Sequence, residues 1–179
     1  MSVKYQINRV IVRIAMGITL KHPYDKVLKK LLDCLRKHFD LVSVVVFGSV
    51  ARGDAKKDSD IDILIVADNL PDRYERFKIF DEAEKCVEED IKELRKSGYN
   101  IFISPIIKSV EEARRITPLY LDMVEDAVIL FDKDHFFEDV LNRLRKRLKE
   151  LGARRVRLGK KWYWVLKEDY KFGEVIEIE

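Results

Sequence analysis

Two aspartates, Asp60 and Asp62, stand one residue apart at the entrance to an apolar run, and a Gly48-Ser49 pair closes the apolar run before it. Carboxylates at i and i+2 of an extended strand share a face, with Cα atoms about 6.6 Å apart, while Ile61, Ile63 and Ile65 fill the other face. Without a partner on a half-buried strand, the two charges would repel each other and resist desolvation. A hard divalent cation removes both objections, and Mg²⁺ takes oxygen ligands of this kind. The Gly-Ser pair follows a strand-like run, and "SVARG" can begin a short helix, so its backbone N–H groups form a candidate anion site. Gly48 permits close backbone approach, Ser49 adds a hydroxyl donor, and Arg52 is a candidate partner for phosphate, a salt bridge to an acid such as Asp60 being its other reading. A phosphate cradle beside metal-binding carboxylates is the equipment for nucleoside triphosphate chemistry.

The linked stretch "GSVARGDAKKDSDIDILIV" resembles the signature of the polymerase-beta-like nucleotidyltransferase superfamily. The match is nearest to the minimal nucleotidyltransferases of archaea and bacteria. A looser resemblance runs on to about Asp132, where "TPLYLDMVEDAVILFD" looks like the helix and strand that close that domain. The resemblance implies transfer of a nucleoside monophosphate from an NTP to an acceptor hydroxyl, with pyrophosphate leaving. Asp60 and Asp62 would be the catalytic, metal-binding residues and hold two Mg²⁺ ions about 3.5–4 Å apart. Gly48 and Ser49 would hold the β- and γ-phosphates. The acceptor is left open among a protein side-chain hydroxyl, a small molecule and an RNA end. Members of this type often act beside a separately encoded helical HEPN-type partner, sometimes as the antitoxin that nucleotidylates it.

One departure stands out. Family members of the active type usually carry a third carboxylate on a later strand, and the matching segment here, residues 100–108, has no Asp or Glu. Phe102 or Ser104 takes the expected place. Asp90, Glu93, Glu111 and Glu112 are near in sequence but fall on helix-like segments. The alternative function is therefore a non-catalytic nucleotide-binding or partner-binding, antitoxin-like module.

The elements that must position these residues are visible in the apolar spacing. Tyr24, Val27, Leu28, Leu31, Leu32, Leu35 and Phe39 recur with helical period after Pro23. "LVSVVVF" and Ile61 to Val66 read as buried strands. Residues 72–98 read as one long amphipathic helix with Phe77, Phe80, Val87, Ile91 and Leu94 on its stripe. "NIFISPIIK" reads as an edge or bent strand because of Pro105. A helix over 109–125 breaks at Pro118, "AVILFD" is a fourth strand, and "HFFEDVLNRLRKRLKEL" is a last helix. The expected fold is α/β (α+β), a nucleotidyltransferase-type mixed sheet flanked by helices over residues 24–132. Residues 1–23 stay unassigned, and 133–179 form a helix and a basic, aromatic tail packed on the domain.

Length and composition place the chain among globular proteins. It has 179 residues, 47% hydrophobic and 37% charged, with a net charge of +3 that does not itself announce a nucleic-acid binder. No apolar run approaches the length of a membrane span, and no signal peptide is read at the N-terminus. Abundant Lys, Arg and Glu with few Gln and Asn fits a thermophile. Cys34 and Cys86 lack metal-ligand spacing and read as reduced residues of a cytoplasmic protein. His22, His38 and His135 are scattered and read as structural or surface residues. Asp54 and Asp58 belong to a mobile-looking loop. The basic run from Arg143 to Lys161 reads as a solvated face or as a phosphate-binding surface, and Trp162–Trp164 as tail packing or a base-stacking surface. The alternating "EVIEIE" reads as a terminal strand or arm able to pair with a sheet edge of this chain or of a second copy, which leaves a homodimer open.

Overall fold

The computed structural model describes residues 20–159 and 161–178, so most of the unassigned N-terminal segment lies outside the described residues. Helix α1 (Tyr24–His38) forms where the sequence places its apolar stripe; Asp25 lies in its first turn and Arg36, Lys37 and His38 in its last, which suits the helix dipole. It leads into β1 (Asp40–Phe47), the short α2 (Gly48–Arg52) and β2 (Ile61–Asp68). There follow α3 (Arg73–Glu84), a 3₁₀ turn, α4 (Glu88–Lys96), β3 (Ile103–Ser109), α5 (Val110–Arg114), α6 (Leu119–Asp126) and β4 (Val128–Asp132). A second 3₁₀ turn opens α7 (Phe136–Glu150), and β5 (Arg154–Leu158) with β6 (Lys161–Val165) ends the regular structure.

The main sheet has the order β3-β2-β1-β4 and is mixed: β1 pairs antiparallel with β2 and β4, while β2 pairs parallel with β3. The two central strands are buried along almost their whole length, which explains their β-branched runs. Strand alternation divides the core. Ile61, Ile63, Ile65, Val44 and Val46 pack under α1, α3 and the 3₁₀ turn. Leu64, Val66, Val45 and Phe47 pack under α6 and α7, beside Tyr120 and Phe137. Asp62 therefore sits on the second face, in line with Leu64 and Val66.

Several expectations are corrected. The long helix is two helices, α3 and α4, separated by a 3₁₀ turn at Lys85–Val87. Phe80, Ala83, Val87 and Ile91 face the core, whereas Phe77 is 48% exposed, so the stripe is narrower than the aromatic spacing implies. The cysteines are not reduced: a disulfide joins Cys34 on α1 to Cys86 in that turn. Their spacing of 52 residues conceals the pairing, which exists only because α3 and the turn pack on α1. The pairing also withdraws the argument for a reducing compartment that rested on free thiols. Pro105 does lie in an edge strand, β3, and Pro118 does separate α5 from α6. Of the two readings of "EVIEIE", terminal strand or arm, the described residues 174–178 form no strand; they lie against α7, where Arg147 Nε donates to the Glu177 carbonyl and Ile178 joins the second core. No described helix is long and apolar enough to cross a membrane.

Candidate functional site

Phe47 and Asp62 are register partners at the open end of the β1–β2 ladder, so the Gly-Ser turn and the second aspartate start out side by side. Gly48 has φ +71°, a left-handed conformation that favours glycine. A Cβ built there would overlap Asp62 Oδ2 and come within 3.1 Å of Asp62 Cγ. The missing side chain is thus the space that the carboxylate occupies. α2 follows at once and closes after a single turn, with the N–H of left-handed Gly53 donating to Val50 O at 3.2 Å and that of Asp54 to Ser49 O at 3.1 Å.

The loop from Gly53 to Asp60 is exposed but pinned, contrary to its mobile-looking composition. Tyr24 Oη donates to Lys56 O at 2.7 Å, and the Asn100 N–H donates to Lys57 O at 2.7 Å. Ile61 N then donates to Phe102 O at 2.8 Å, which starts β2 alongside β3. These bonds determine where Asp60 enters. Asp60 is exposed and Asp62 half-buried. Burial first, and then the charge of Asp60, push the Asp62 carboxyl above its ordinary value, against a smaller opposing pull from Arg52. Arg52 itself lies 3.5 Å from Asp54 Oδ2, so the salt bridge imagined with Asp60 falls to a loop acid instead. Asp58 stays exposed in the loop, and among the described residues no His, Cys, Asp or Glu cluster of three or more could hold a metal.

The site is the half-buried Asp62 carboxylate, with Asp60 near it, beside the turn at Gly48. The nucleotidyltransferase domain profile matches residues 28–119, just over half of the chain. The chain belongs to this family. A Methanocaldococcus jannaschii protein named "Putative protein adenylyltransferase MJ1305" is 33% identical over 147 residues, spanning 77% of this chain and 95% of that protein. "Protein adenylyltransferase MntA" of Thermococcus cleftensis is 49% identical over 37 residues, 21% of this chain and 37% of that one. A solved toxin–antitoxin structure with AMP-PNP aligns with a TM-score of 0.42 at 17% identity, covering 69% of this chain and 91% of that one.

Within this nucleotidyltransferase domain, the departure at residues 100–108 now has a position. Ser104 is the β3 register partner of Asp62, which puts it on the same face of the adjoining strand. Phe102 precedes β3 and is 53% exposed, with the Arg95 guanidinium 5.2 Å above its ring. Of the two candidates, Ser104 faces the site. Three of the nearby acids are engaged elsewhere: Asp90 pairs with Lys26 and Lys30, Glu111 accepts from Ser109 Oγ at 2.9 Å, and Glu112 accepts from Arg76 Nη1 at 2.6 Å. The histidines are surface residues with local partners where partners are recorded, His22 near Asp25 and His135 against Glu138.

Sequence reading missed one feature, a β5–β6 hairpin, and treated its residues as a basic loop and an aromatic cluster. The signal was available: two alternating runs separated by two residues beginning with Gly159 form a hairpin pattern. Trp164 packs, its Nε1 donating to Leu121 O at 3.1 Å, whereas Trp162 and Tyr163 are each 46% exposed.

Proposed function

We propose that this protein is an Mg²⁺-dependent nucleotidyltransferase that moves the adenylyl group of ATP onto a hydroxyl of a separate protein and releases pyrophosphate. One observation carries the reading: the Asp62 carboxylate occupies the volume a Gly48 side chain would need. A backbone turn able to approach phosphate is thereby placed directly beside a carboxylate able to bind the metal on that phosphate. The names of the relatives, above all the one matched over 95% of its length, support adenylyl as the group moved and protein as its acceptor. The helical HEPN-type partner implied by the motif's resemblance is the first candidate for that acceptor.

Asp60 and Asp62 fit a divalent cation because they offer oxygen donors, and Asp62 is short of positive charge. Bound there, Mg²⁺ would neutralise the triphosphate and stabilise the attacking and leaving oxygens. The chain's own groups supply position. Gly48 lets the backbone approach the β- and γ-phosphates, Ser49 presents a hydroxyl to them, and Arg52 adds positive charge at the end of α2. The acceptor hydroxyl oxygen bonds to the α-phosphorus as the bridge to the β-phosphate breaks; pyrophosphate leaves with the electron pair of that bond, and the hydroxyl proton passes to solvent. Holding these groups in line is the catalytic contribution.

A second reading has its own observation. Ser104, and not a carboxylate, stands beside Asp62, which favours a module that binds nucleotide or partner without turning it over. The test is incubation with α-labelled ATP, CTP, GTP and UTP plus Mg²⁺, with and without extract, for wild type, Asp60→Ala and Asp62→Asn. The enzyme reading expects label on protein from ATP, reduced by about 10²–10³-fold or more in either variant. Mg²⁺-dependent nucleotide binding without transfer would establish the module.

A further inference from the structure

We infer that the β5–β6 hairpin is a binding arm for single-stranded nucleic acid, independent of the nucleotide site. Residues 143–171 hold twelve Lys or Arg against three acids, a local net charge of +9 in a chain whose total is +3. The rest of the chain therefore carries −6, and within the window the positive charge sits on the second half of the last helix and on the hairpin, residues 166–171 being balanced. Such a stripe fits a polyanion.

The hairpin is held as a fixed projection. Two antiparallel strands alone are marginal in water, but this pair is anchored to α6 by Trp164 through Leu121 O and by the Arg155–Asp126 ion pair at 2.7 Å. These anchors occupy one end of one face. Toward the tip of that face, Arg157 is paired across the ladder with Trp162, and the guanidinium carbons of Arg155 and Arg157 lie 4.8 and 5.4 Å from the Trp162 ring centre. Tyr163 points from the opposite face, beside Val156. A ring with cations beside it and half its surface open offers stacking to a base and charge to the adjoining phosphate.

The arrangement favours a nucleic-acid strand over an acidic protein surface. Trp162 and Tyr163 are equally exposed but project from opposite faces of a narrow ribbon, so a single docking face cannot cover both. A flexible strand can stack bases on each side while its phosphates follow the arginines. Duplex bases are already stacked and unavailable to these rings, so single strands are the class recognised.

The probe is a fluorescein-labelled 12-nucleotide oligouridylate, followed by anisotropy on the full chain between 50 and 200 mM salt, with oligothymidylate, duplex RNA and poly-glutamate for comparison. Binding should weaken with salt at a slope of about −0.7 per phosphate contacted. Trp162→Ala should weaken binding by about 5- to 150-fold with that slope retained, and Trp162→Phe should recover most of the loss. Arg157→Gln should reduce the slope by about 0.7. Asp62→Asn should bind the oligonucleotide as wild type does, which separates the arm from the proposed transferase site. Equal competition by poly-glutamate would identify an acidic protein surface as the partner class and overturn the inference. So would duplex binding as tight as single-strand binding, wild-type affinity in Trp162→Ala, or loss of binding in Asp62→Asn.

Discussion

Replacing Gly48 by Ala tests the arrangement of the site most directly, because it combines two separable effects. The first is conformational. At φ +71° an L-residue costs about 1–2 kcal/mol, which for a chain of this length lowers Tm by about 2–8 °C. The second is positional. The new methyl would overlap Asp62 Oδ2 with Asp62 Cγ 3.1 Å away, so the carboxylate must retreat by on the order of 1 Å, and a misplacement of that size can cost about 10²-fold in rate. Gly152→Ala is the control. Its φ is +69°, but a Cβ there meets nothing within 4 Å, so it should show the same loss of Tm and wild-type transfer. Adenylyl transfer from labelled ATP and thermal unfolding are measured on both variants. Gly48→Ala with the activity of Gly152→Ala would refute the reasoning, since the close approach to Asp62 would then have no part in the reaction.

Three further outcomes are expected. Because burial and Asp60 raise the Asp62 pKa on folding, Asp62 contributes stability that is fully present below the unfolded value of about 3.8 and is lost as pH rises through the folded value. Asp62→Asn should accordingly melt higher than wild type at pH 7 and equally near pH 3, and should lose the stabilisation that Mg²⁺ confers on wild type; thermal scans across pH would show a flat difference if the carboxylate were unperturbed. Ser104→Asp would place a third carboxylate on the strand beside Asp62, lowering Tm in metal-free buffer and increasing both the Tm gained on adding Mg²⁺ and the transfer rate. An unchanged Mg²⁺ response would mean that Ser104 does not face the metal-binding pair. Closing a 52-residue span, the Cys34–Cys86 disulfide is worth up to about 4 kcal/mol, so Cys86→Ser or full reduction should lower Tm by up to about 16 °C. Thiol titration of the denatured, unreduced protein should find no free cysteine.

How far the sequence could be read depends on the range of the interaction concerned. The strand carrying Asp62 was legible because alternation is local: Ile61, Ile63 and Ile65 on one face oblige Asp62 to the other, and the structure has that division. Helix α1 was legible for the same reason, its stripe and terminal charges lying within one segment. The break between α3 and α4 was not, because its local pattern remains helical throughout and the turn is held by packing on α1 and by the disulfide. The loop before Asp60 looked mobile because its composition is polar, but its restraints come from Tyr24 and Asn100, residues about thirty to forty positions away.

The sequence alone determined the residue types at the site, the strand face that carries Asp62, the glycine at the turn and the absence of a carboxylate from 100 to 108. Each is a property of composition or of a period of two or 3.6 residues, and none needs a distant partner. Only the tertiary structure decided that Gly48 makes room for Asp62, that Ser104 and not Phe102 stands beside it, and that Trp164 is an anchor while Trp162 is open. Those outcomes depend on register and on packing between elements far apart in the chain. A shift of one residue in register would exchange the faces of Phe102, Ser104 and their neighbours without altering any local pattern.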